Sequence, residues 1–281
     1  MTLALDIGGT KLAAARVEGG RVLERLEAPT PTHDRGPEAV TRAVLDLLRP
    51  LLPGAKALGV AATGGVAEGK VTALNADTLR GWHGYDLRGA LRAATGLPTA
   101  VINDADAAAW GEATHGAGRG VENFIFVTIS TGVGSGLVLG GHLYLSRHGL
   151  HAEMGYMRAP NGTPLELVAS GGALDRWARE RGWEGAREVV RRAAADPAAE
   201  AKLAESAALI ADKLADLKVM LGLERAVIGG GLGLSAGYIE RVRAALGRLD
   251  PLYGLEVVPA ALGADAGLIG AAGWAERSLN D

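Results

Sequence analysis

The chain has 281 residues, of which 48% are hydrophobic and 22% charged, a balance typical of a globular protein with a substantial core rather than a disordered chain. The formal net charge is -3, and no segment is dense in Lys or Arg. We therefore expect no nucleic-acid partner and no binding to an anionic membrane surface. The lack of cysteine excludes disulfides, thiolate zinc sites and a cysteine nucleophile. No signal-peptide pattern and no membrane-length apolar run is present, so we expect a cytoplasmic protein acting on a small ligand.

The first elements predicted along the chain are three antiparallel strands, a helix and a buried strand. The strands span residues 2–6, 11–17 and 21–28, the helix 37–52 and the buried strand 57–62. Apolar residues at helical spacing, with Pro37 near the start, indicate the helix. A second helix at 86–95 ends at Gly96, and a buried strand at 99–102 leads into Asn103 and Asp104. Mixed strands and helices in this order predict an α/β fold.

The arrangement of strand, glycine turn and strand then occurs a second time. A strand at 123–129, a glycine turn at 130–136 and a strand at 137–145 repeat the beginning of the chain. From residue 174 the chain is mostly helical. The later elements are a long helix at 197–221, a strand at 225–228, a helix at 235–246, a strand at 255–258 and a final helix at 265–277. The repeat predicts two related lobes with a ligand between their turns.

Three glycine-rich turns are candidate nucleotide contacts. Residues 6–11, Asp-Ile-Gly-Gly-Thr-Lys, allow backbone N–H groups to approach a phosphate, although an ordinary hairpin would look similar. Residues 130–136, with three glycines and three hydroxyls, could line a phosphate or form a flexible loop. Because both turns follow strands in corresponding places, we favour phosphate binding for both. Residues 229–231, three glycines after a buried strand, would place bare backbone against a purine or ribose.

Residues 64–71 nearly match a P-loop. Val71 stands where that motif requires the Ser or Thr that binds a metal ion, so the match fails. The loop that begins at Gly64 is still a candidate substrate contact.

Asp104 is the candidate general base. It follows a buried strand, at the carboxyl edge where α/β proteins bind ligands, and a carboxylate there can accept the proton of an attacking hydroxyl. The alternative is that Asp104 is the N-cap of a helix at 105–114. We expect Asp106, in the first helical turn, to compensate the helix dipole.

Two glutamates and two histidines are weaker candidates. Glu153 and Glu166 could accept hydrogen bonds from sugar hydroxyls or be solvated surface residues. His148 and His151 have neither cysteine partners nor regular ligand spacing, which argues against a zinc site.

Together these motifs resemble the ROK family of bacterial sugar kinases and repressors. The matching motifs follow the family order along nearly the whole chain, at residues 6–11, 59–61, 63–64, 81–82, 103–104, 130–134, 153–155, 229–231 and 265–272. Several are most similar to bacterial N-acetylmannosamine kinases, and glucokinases and N-acetylglucosamine kinases share much of the pattern. The resemblance implies an actin-like ATPase (ribonuclease H-like) fold with two lobes of mixed sheets flanking a central cleft. Residues 1–104 with 265–281 would form the small lobe and 105–264 the large lobe.

The resemblance also implies the reaction. ATP, with Mg²⁺ bridging its phosphates, would donate its γ-phosphoryl group to a hydroxyl, expected to be O6, of a hexose or N-acetylhexosamine. The residues and the resemblance together assign Asp104 as the base. The expected sugar contacts are Gly64, Asn103, Glu153, Tyr156 and Glu166. The expected ATP contacts are Asp6, Gly8, Gly9, Thr10, Lys11, Thr131, Gly132, Gly134, Gly230 and Gly231. Family habit favours a homodimer.

Two departures from the family pattern bear on function. Tyr156 stands where the family usually has a His that contacts sugar and binds zinc, and the short stretch 158–165 replaces the cysteine-rich zinc loop. We expect no structural zinc, and Tyr156 either contacts sugar through its hydroxyl or alters specificity. Family repressors carry a helix-turn-helix ahead of the motif that begins here at Asp6, so we expect no DNA-binding segment. A non-catalytic sugar sensor and an actin-like ATPase without a sugar acceptor are the alternative functions.

Overall fold

A computed structural model describes residues 1–31, 36–74 and 81–280. The chain forms two compact units, the first from Met1–His115, Leu143–His151 and Ala264–Asp281, the second from Gly116–His142 and Ala152–Gly263. The first unit thus includes residues 105–115 and 143–151, which the sequence-based division assigned to the large lobe. That division into functional lobes stays a prediction. No helix in the described ranges combines the length and apolar character needed to cross a bilayer.

The regular elements alternate between strands and helices along most of the chain. In chain order they are β1 (Thr2–Ile7), β2 (Lys11–Glu18), β3 (Arg21–Pro29), α1 (Gly36–Leu48), β4 (Leu58–Ala62), β5 (Gly65–Ala67), β6 (Lys70–Thr72), β7 (Tyr85–Asp86), α2 (Leu87–Thr95), β8 (Thr99–Asn103), α3 (Asp104–His115), β9 (Phe124–Ile129), β10 (Val133–Leu139), β11 (His142–Leu143), α4 (Glu166–Ala169), α5 (Gly171–Arg179), α6 (Ala186–Arg192), α7 (Pro197–Leu221), β12 (Arg225–Gly229), α8 (Tyr238–Leu246), β13 (Glu256–Pro259) and α9 (Ala266–Asn280).

The main sheet of the first unit has the order β3-β2-β1-β4-β8. β1, β2 and β3 are antiparallel neighbours, whereas β1, β4 and β8 run parallel. Asp6 lies opposite Ala61, and Ala62 lies opposite Asn103. The carboxyl ends of these three parallel strands therefore lie at one edge of the sheet.

The main sheet of the second unit has the corresponding order, β11-β10-β9-β12-β13. β9 and β10 are antiparallel, and β9, β12 and β13 run parallel. The core beside this sheet is formed largely by apolar residues of the long helix α7, such as Leu203, Ile210 and Leu214. Two sheets of the same order confirm the internal repeat that the sequence predicts.

Several elements differ from the sequence-based predictions, and glycine or proline explains two of these differences. α1 ends at Leu48 because Pro50 follows, and the chain continues as the short 3₁₀ helix Arg49–Leu51. α8 begins only at Tyr238, after Gly237 at φ 74°. The near-P-loop segment is a hairpin of β5 and β6 rather than a strand, loop and helix. β10 begins at Val133, not at residue 137, because Val133 pairs with Ile129 of β9.

Helices α3 and α9 pack against each other through small residues. A Cβ atom placed on Gly270 of α9 would lie 1.6 Å from the carbonyl oxygen of Ala107 in α3. One placed on Gly111 of α3 would lie 2.5 Å from the carbonyl oxygen of Ala266. The two backbones are close enough that only glycine fits at both positions.

Replacing Gly270 by alanine tests this close approach. Gly270→Ala is expected to lower the free energy of unfolding by about 1–3 kcal/mol or more, because the methyl group must push the two backbones apart. Gly273→Ala, on the same helix, is the matched control, because its Cβ would meet nothing closer than 3.5 Å. We expect that change to be neutral or stabilising by up to roughly 1 kcal/mol. Urea denaturation measures both, and equal effects of the two changes would contradict the packing argument.

Candidate functional site

Asn103, rather than Asp104, caps helix α3. The Oδ1 atom of Asn103 accepts hydrogen bonds from the backbone N–H groups of Ala105, at 2.8 Å, and Asp106, at 3.2 Å. Asp104 is the first residue of the helix itself. The interpretation of Asp104 as the N-cap is therefore wrong, and its carboxylate is not needed for that purpose.

The carboxylate of Asp104 is held by two donors. The hydroxyl of Thr63 donates to Oδ2 at 2.8 Å, and the backbone N–H of Ala105 donates to Oδ1 at 2.9 Å. Thr63 directly follows β4, where its own N–H bonds the carbonyl of Ile7 at 3.2 Å. Thr63 lies in one of the motifs of the sequence, but no role was predicted for it. A hydroxyl residue at the end of the strand next to β8 was the available signal.

Asn103 also connects two of the predicted sugar contacts. Its Nδ2 donates to the carbonyl oxygen of Gly64 at 2.9 Å. Gly64 has a φ of +110°, and a Cβ there would lie 2.7 Å from the carbonyl oxygen of Thr72. This loop conformation requires glycine at residue 64, and one Nδ2 hydrogen of Asn103 remains for another acceptor.

Asp6 is a partly buried carboxylate near Asp104. Burial, followed by the negative charge of Asp104, raises the pKa of Asp6 from 3.8 to about 7, against the opposing effect of Arg25 and Lys11. Its Oδ2 lies 3.9 Å from the position of a Cβ on Gly267, near the start of α9. The edge of the first sheet thus carries two carboxylates whose charges repel each other.

The first glycine turn is a tight connection between β1 and β2. The N–H of Gly8 bonds the carbonyl of Lys11 at 3.1 Å. Thr30 holds the turn from outside, because its hydroxyl donates to the carbonyl of Gly8 at 2.7 Å and its N–H donates to that of Thr10 at 3.0 Å. The side chains of Thr10 and Lys11 are exposed, and Lys11 pairs with Glu27 at 3.0 Å.

The second glycine turn is shorter than the sequence suggests. It closes at Ser130, whose N–H bonds the carbonyl of Gly132 at 2.9 Å. Gly171 and Gly172, at the start of α5, donate to the carbonyls of Ser130 and Thr131 at 2.7 and 3.1 Å. The prediction of one glycine loop over 130–136 is wrong, because the chain enters β10 at Val133.

Four residues of that predicted loop, 133–136, are therefore strand residues. Gly134 lies opposite Thr128 in the ladder of β9 and β10. Ser135 is buried, and its hydroxyl donates to the carbonyl of Ala152 and accepts from the N–H of Met154 at 2.9 Å. Ser135 thus fixes the chain on both sides of Glu153 instead of lining a phosphate. Ala152, a non-glycine residue with a φ of 51°, is part of this constrained segment.

Glu153, Tyr156 and Glu166 lie close together in the second unit. The pKa of the Tyr156 hydroxyl is raised by burial first, then by the charges of Glu166 and Glu153. A Cβ on Gly132 would lie 2.8 Å from Oε2 of Glu166, so this glutamate lies against the second glycine turn. Three predicted sugar contacts and one predicted phosphate contact therefore group within this unit.

The glycines after β12 differ in their surroundings. Gly230 has a φ of +82°, and a Cβ there would lie 2.5 Å from the carbonyl oxygen of Ile129. A Cβ on Gly231 would meet nothing within 4 Å. Gly230 is thus required by the packing, whereas Gly231 leaves open space beside the backbone.

Asp106 has a different environment from the solvated one expected for dipole compensation. Its Oδ2 lies 2.8 Å from Nε2 of His151, and the two side chains are only 3% and 4% exposed. Burial raises the pKa of Asp106, and the hydrogen bond from His151 acts against that rise. In the parts of the chain that the structure describes, no group of three or more His, Asp or Glu side chains is placed to hold a metal ion.

The predicted residues thus fall into two groups. The first unit holds Asp6, Gly8, Gly9, Thr10, Lys11, Gly64, Asn103 and Asp104, and the second holds Thr131, Gly132, Gly134, Glu153, Tyr156, Glu166, Gly230 and Gly231.

Comparison with known proteins decides the family. The ROK family model matches residues 2–278. The chain belongs to the ROK family. N-acetylmannosamine kinase of Salmonella typhimurium is 38% identical over 283 residues, covering 96% of this chain and 97% of the relative.

Solved ROK structures share the fold. A ROK family glucokinase from Streptomyces griseus, in complex with glucose and AMPPNP, has a TM-score of 0.85 and 30% identity, covering 98% of this chain and 99% of its own. A ROK hexokinase from Thermus thermophilus has a TM-score of 0.82 and 32% identity, covering 100% and 99%. The fold is therefore the actin-like ATPase fold of ROK sugar kinases, as the sequence predicts.

Asp6 gives this ROK protein a testable pH dependence of stability. The pKa of Asp6 is about 7 in the folded state, and its ordinary value is 3.8. Between these pH values the folded state binds more protons than the unfolded state, so the free energy of unfolding falls as pH rises. Asp6→Asn removes this pH-dependent loss of stability. We expect the Tm of Asp6→Asn minus that of the parent to increase from pH 5 to pH 8, by roughly 2–4 °C for each kcal/mol relieved.

Differential scanning calorimetry without ligands measures this difference. Asp46→Asn is the control, because Asp46 is an exposed residue of α1 with 69% of its side chain accessible. A Tm difference for Asp6→Asn that is the same at both pH values would contradict the assignment of a raised pKa to Asp6.

Proposed function

We propose that the chain is an ATP-dependent sugar kinase that phosphorylates O6 of an N-acetylhexosamine, with N-acetylmannosamine as the first candidate. The observation that carries the proposal is the placement of Asp104 at the carboxyl end of β8, where Thr63 and Ala105 fix both of its oxygens. Identity of 38% to an N-acetylmannosamine kinase along nearly the whole chain supports the choice of sugar.

In the proposed reaction, Asp104 accepts the proton of the sugar hydroxyl as the oxygen attacks the γ-phosphorus of ATP. A bond forms between that oxygen and phosphorus, the bond to the bridging oxygen breaks, and ADP leaves. Phosphoryl transfer depends mainly on positioning and on neutralising charge. A base fixed by two hydrogen bonds is already positioned, because its side chain needs little further ordering when the sugar binds.

Asp6 fits a role in holding Mg²⁺. Proteins usually bind Mg²⁺ with one or two carboxylates together with substrate phosphates, rather than with a complete cage of side chains. Burial and the negative charge of Asp104 both raise the pKa of Asp6, and a divalent cation would compensate the two carboxylates. When bound, Mg²⁺ would neutralise charge on the phosphates. The turn at residues 8–11 and the turn at 131–132 are proposed as their backbone contacts.

The proposed sugar contacts are Gly64, Asn103, Glu153, Tyr156 and Glu166. Two carboxylates and an amide suit hydroxyl groups, because they accept and donate in several directions. Glucose is the second candidate acceptor, because a glucokinase with glucose bound is 30% identical. Tyr156 stands beside both glutamates, so we expect its hydroxyl to influence which sugar is preferred.

Other features remain proposals. Three of them rest on the sequence alone: the cytoplasmic location, a homodimer and the absence of structural zinc. Light scattering of purified protein tests the homodimer, and metal analysis tests the absence of zinc. A non-catalytic sugar sensor is the alternative of a different class. A panel of hexoses and N-acetylhexosamines with coupled ADP detection separates these functions. Sugar-dependent ADP release supports the kinase, and a failure of every sugar to stimulate ADP release would reject it.

Asp104→Asn tests the proposed base. We expect kcat to fall about 10²- to 10⁴-fold, the usual contribution of a general base, while sugar affinity measured by calorimetry stays within a few-fold. Asn keeps the shape of the side chain and an oxygen for the N–H of Ala105. Turnover equal to that of the parent would remove Asp104 from the mechanism.

Thr63→Val tests whether the hydrogen bond to Asp104 positions the base. A bond to a charged group contributes about 1.5–3 kcal/mol, so we expect kcat to fall about 10- to 100-fold with little change in the KM for ATP. Thr114→Val, which removes a hydroxyl that donates to the carbonyl of Trp110, is the matched control on α3. If both variants behave alike, the loss at Thr63 is general rather than specific to Asp104.

A further inference from the structure

A cavity of about 620 Å³ lies along the outer edge of β8 in the first unit. The hairpin of β5 and β6, helices α2 and α9, and residues 145–147 contribute its walls. Its volume is in the range of about 300–1,000 Å³ found for small-molecule sites. Of the predicted sugar contacts, it is lined by Asn103 alone.

The floor of the cavity offers backbone hydrogen-bonding groups. β8 is the last strand of its sheet, and no strand in the described ranges pairs with its outer side. The N–H of Leu58 in β4 bonds the carbonyl of Pro98 at 2.9 Å. Because backbone groups of alternate residues face opposite sides of a strand, those of Thr99 and Val101 face away from β4. They can therefore bind a ligand.

Asp106 presents an unsatisfied acceptor in this cavity. Its Oδ2 is bonded to His151, but its buried Oδ1 has no hydrogen-bond partner within the described structure. A buried polar atom without a partner is unfavourable, because it has lost its hydrogen bonds to water. Asp106 lines the cavity, so a donor group on a bound molecule would supply the missing bond.

Two arginines bring positive charge to the same cavity. Arg88 and Arg147 line it, and neither forms a salt bridge with a described residue. Arg88 is placed by the hairpin, because its N–H donates to the carbonyl of Gly69 at 3.1 Å and a Cβ on Gly69 would lie 2.6 Å from its side chain. A neighbouring cavity of about 540 Å³ shares Arg88 and adds Arg92.

The fourth charged residue that lines the cavity is Glu68. It precedes Gly69 in the hairpin turn and has a φ of 52°, a left-handed conformation that is strained for a residue with a side chain. The cavity therefore combines two guanidinium groups with two carboxylates. A simple anion would leave the carboxylates without donors, and a simple cation would leave the arginines without an acceptor.

We propose that this cavity binds a phosphorylated sugar. Its phosphate pairs with Arg88 and Arg147, because guanidinium groups bind phosphate oxygens in a bidentate manner. Its hydroxyls donate to Oδ1 of Asp106 and to Glu68, because ionised carboxylates only accept hydrogen bonds. The ligand belongs to the class of compound that the proposed function produces. The choice of ligand therefore rests on the proposed function, whereas binding in the cavity can be measured without turnover.

Occupancy of the cavity would affect the start of α3. Asn103 lines the cavity and also caps that helix. The bound molecule would therefore contact the strand end that presents Asp104. Binding of sugar phosphate in the cavity would therefore change the surroundings of Asp104.

Titration calorimetry with glucose 6-phosphate and with inorganic phosphate tests the proposal. The protein is first saturated with AMPPNP, Mg²⁺ and N-acetylmannosamine, so that ligands at the proposed catalytic site are already bound. We expect glucose 6-phosphate to bind with one site per chain and at least tenfold more tightly than inorganic phosphate. The titration is repeated without the saturating ligands, which keeps the result interpretable if the proposed function is wrong.

Variants locate the binding. Arg88→Ala and Arg147→Ala should each weaken glucose 6-phosphate binding at least tenfold, and both residues are exposed, so folding is expected to be preserved. Asp106→Asn should weaken glucose 6-phosphate but not inorganic phosphate. Arg21→Ala, an exposed arginine of β3 that does not line the cavity, is the control and should bind normally. No saturable binding, equal affinity for the two ligands, or unchanged affinity in both cavity arginine variants would overturn the proposal.

Discussion

The first unit depends on keeping two carboxylates, Asp6 and Asp104, close together at one edge of a sheet, where burial disfavours the charge of Asp6. The parallel register of β1, β4 and β8 brings the two together, and burial and repulsion raise the pKa of Asp6. The positive charges of Arg25 and Lys11 stabilise the ionised form of Asp6, and the hydroxyl of Thr63 donates a hydrogen bond to Asp104. Under the proposed function, a divalent cation bound at this edge would supply the positive charge that the two carboxylates lack.

Much of the fold could be predicted because its long elements have clear local patterns. The apolar period of α7, the continuous apolar run of β4 and the glycine that ends α2 all appear in the printed sequence. The short elements, such as β5, β6 and β7, are not apparent, because strands of two or three residues have no period to detect. The start of β10 was misplaced because glycines within a strand look like a loop until the partner strand is known.

The site could be predicted where a motif is contiguous and not where it depends on residues far apart in sequence. The sequence places Asp104 directly after a buried strand, and the structure agrees with that position, whereas its role as the base stays a proposal. The bond from Thr63 to Asp104 joins residues 41 apart, and the one between His151 and Asp106 joins residues 45 apart. Ser135 shows the same difficulty, because its hydroxyl lies within a glycine-rich run but bonds a segment 17 residues away. Only tertiary structure shows which polar groups satisfy one another.

The close packing of α9 on α3 also bears on how the chain is synthesised. α9 covers one face of the first sheet, where Ala271 packs with Ala61 and Ile102 in a buried cluster. The sheet is encoded before residue 104, whereas α9 begins at residue 266. A ribosome that adds roughly 5–20 residues per second would expose that uncovered face for many seconds before α9 emerges. The second unit lacks this delay, because its sheet and helices lie between residues 116 and 263. The core of the second unit can therefore form before α9 completes the core of the first unit.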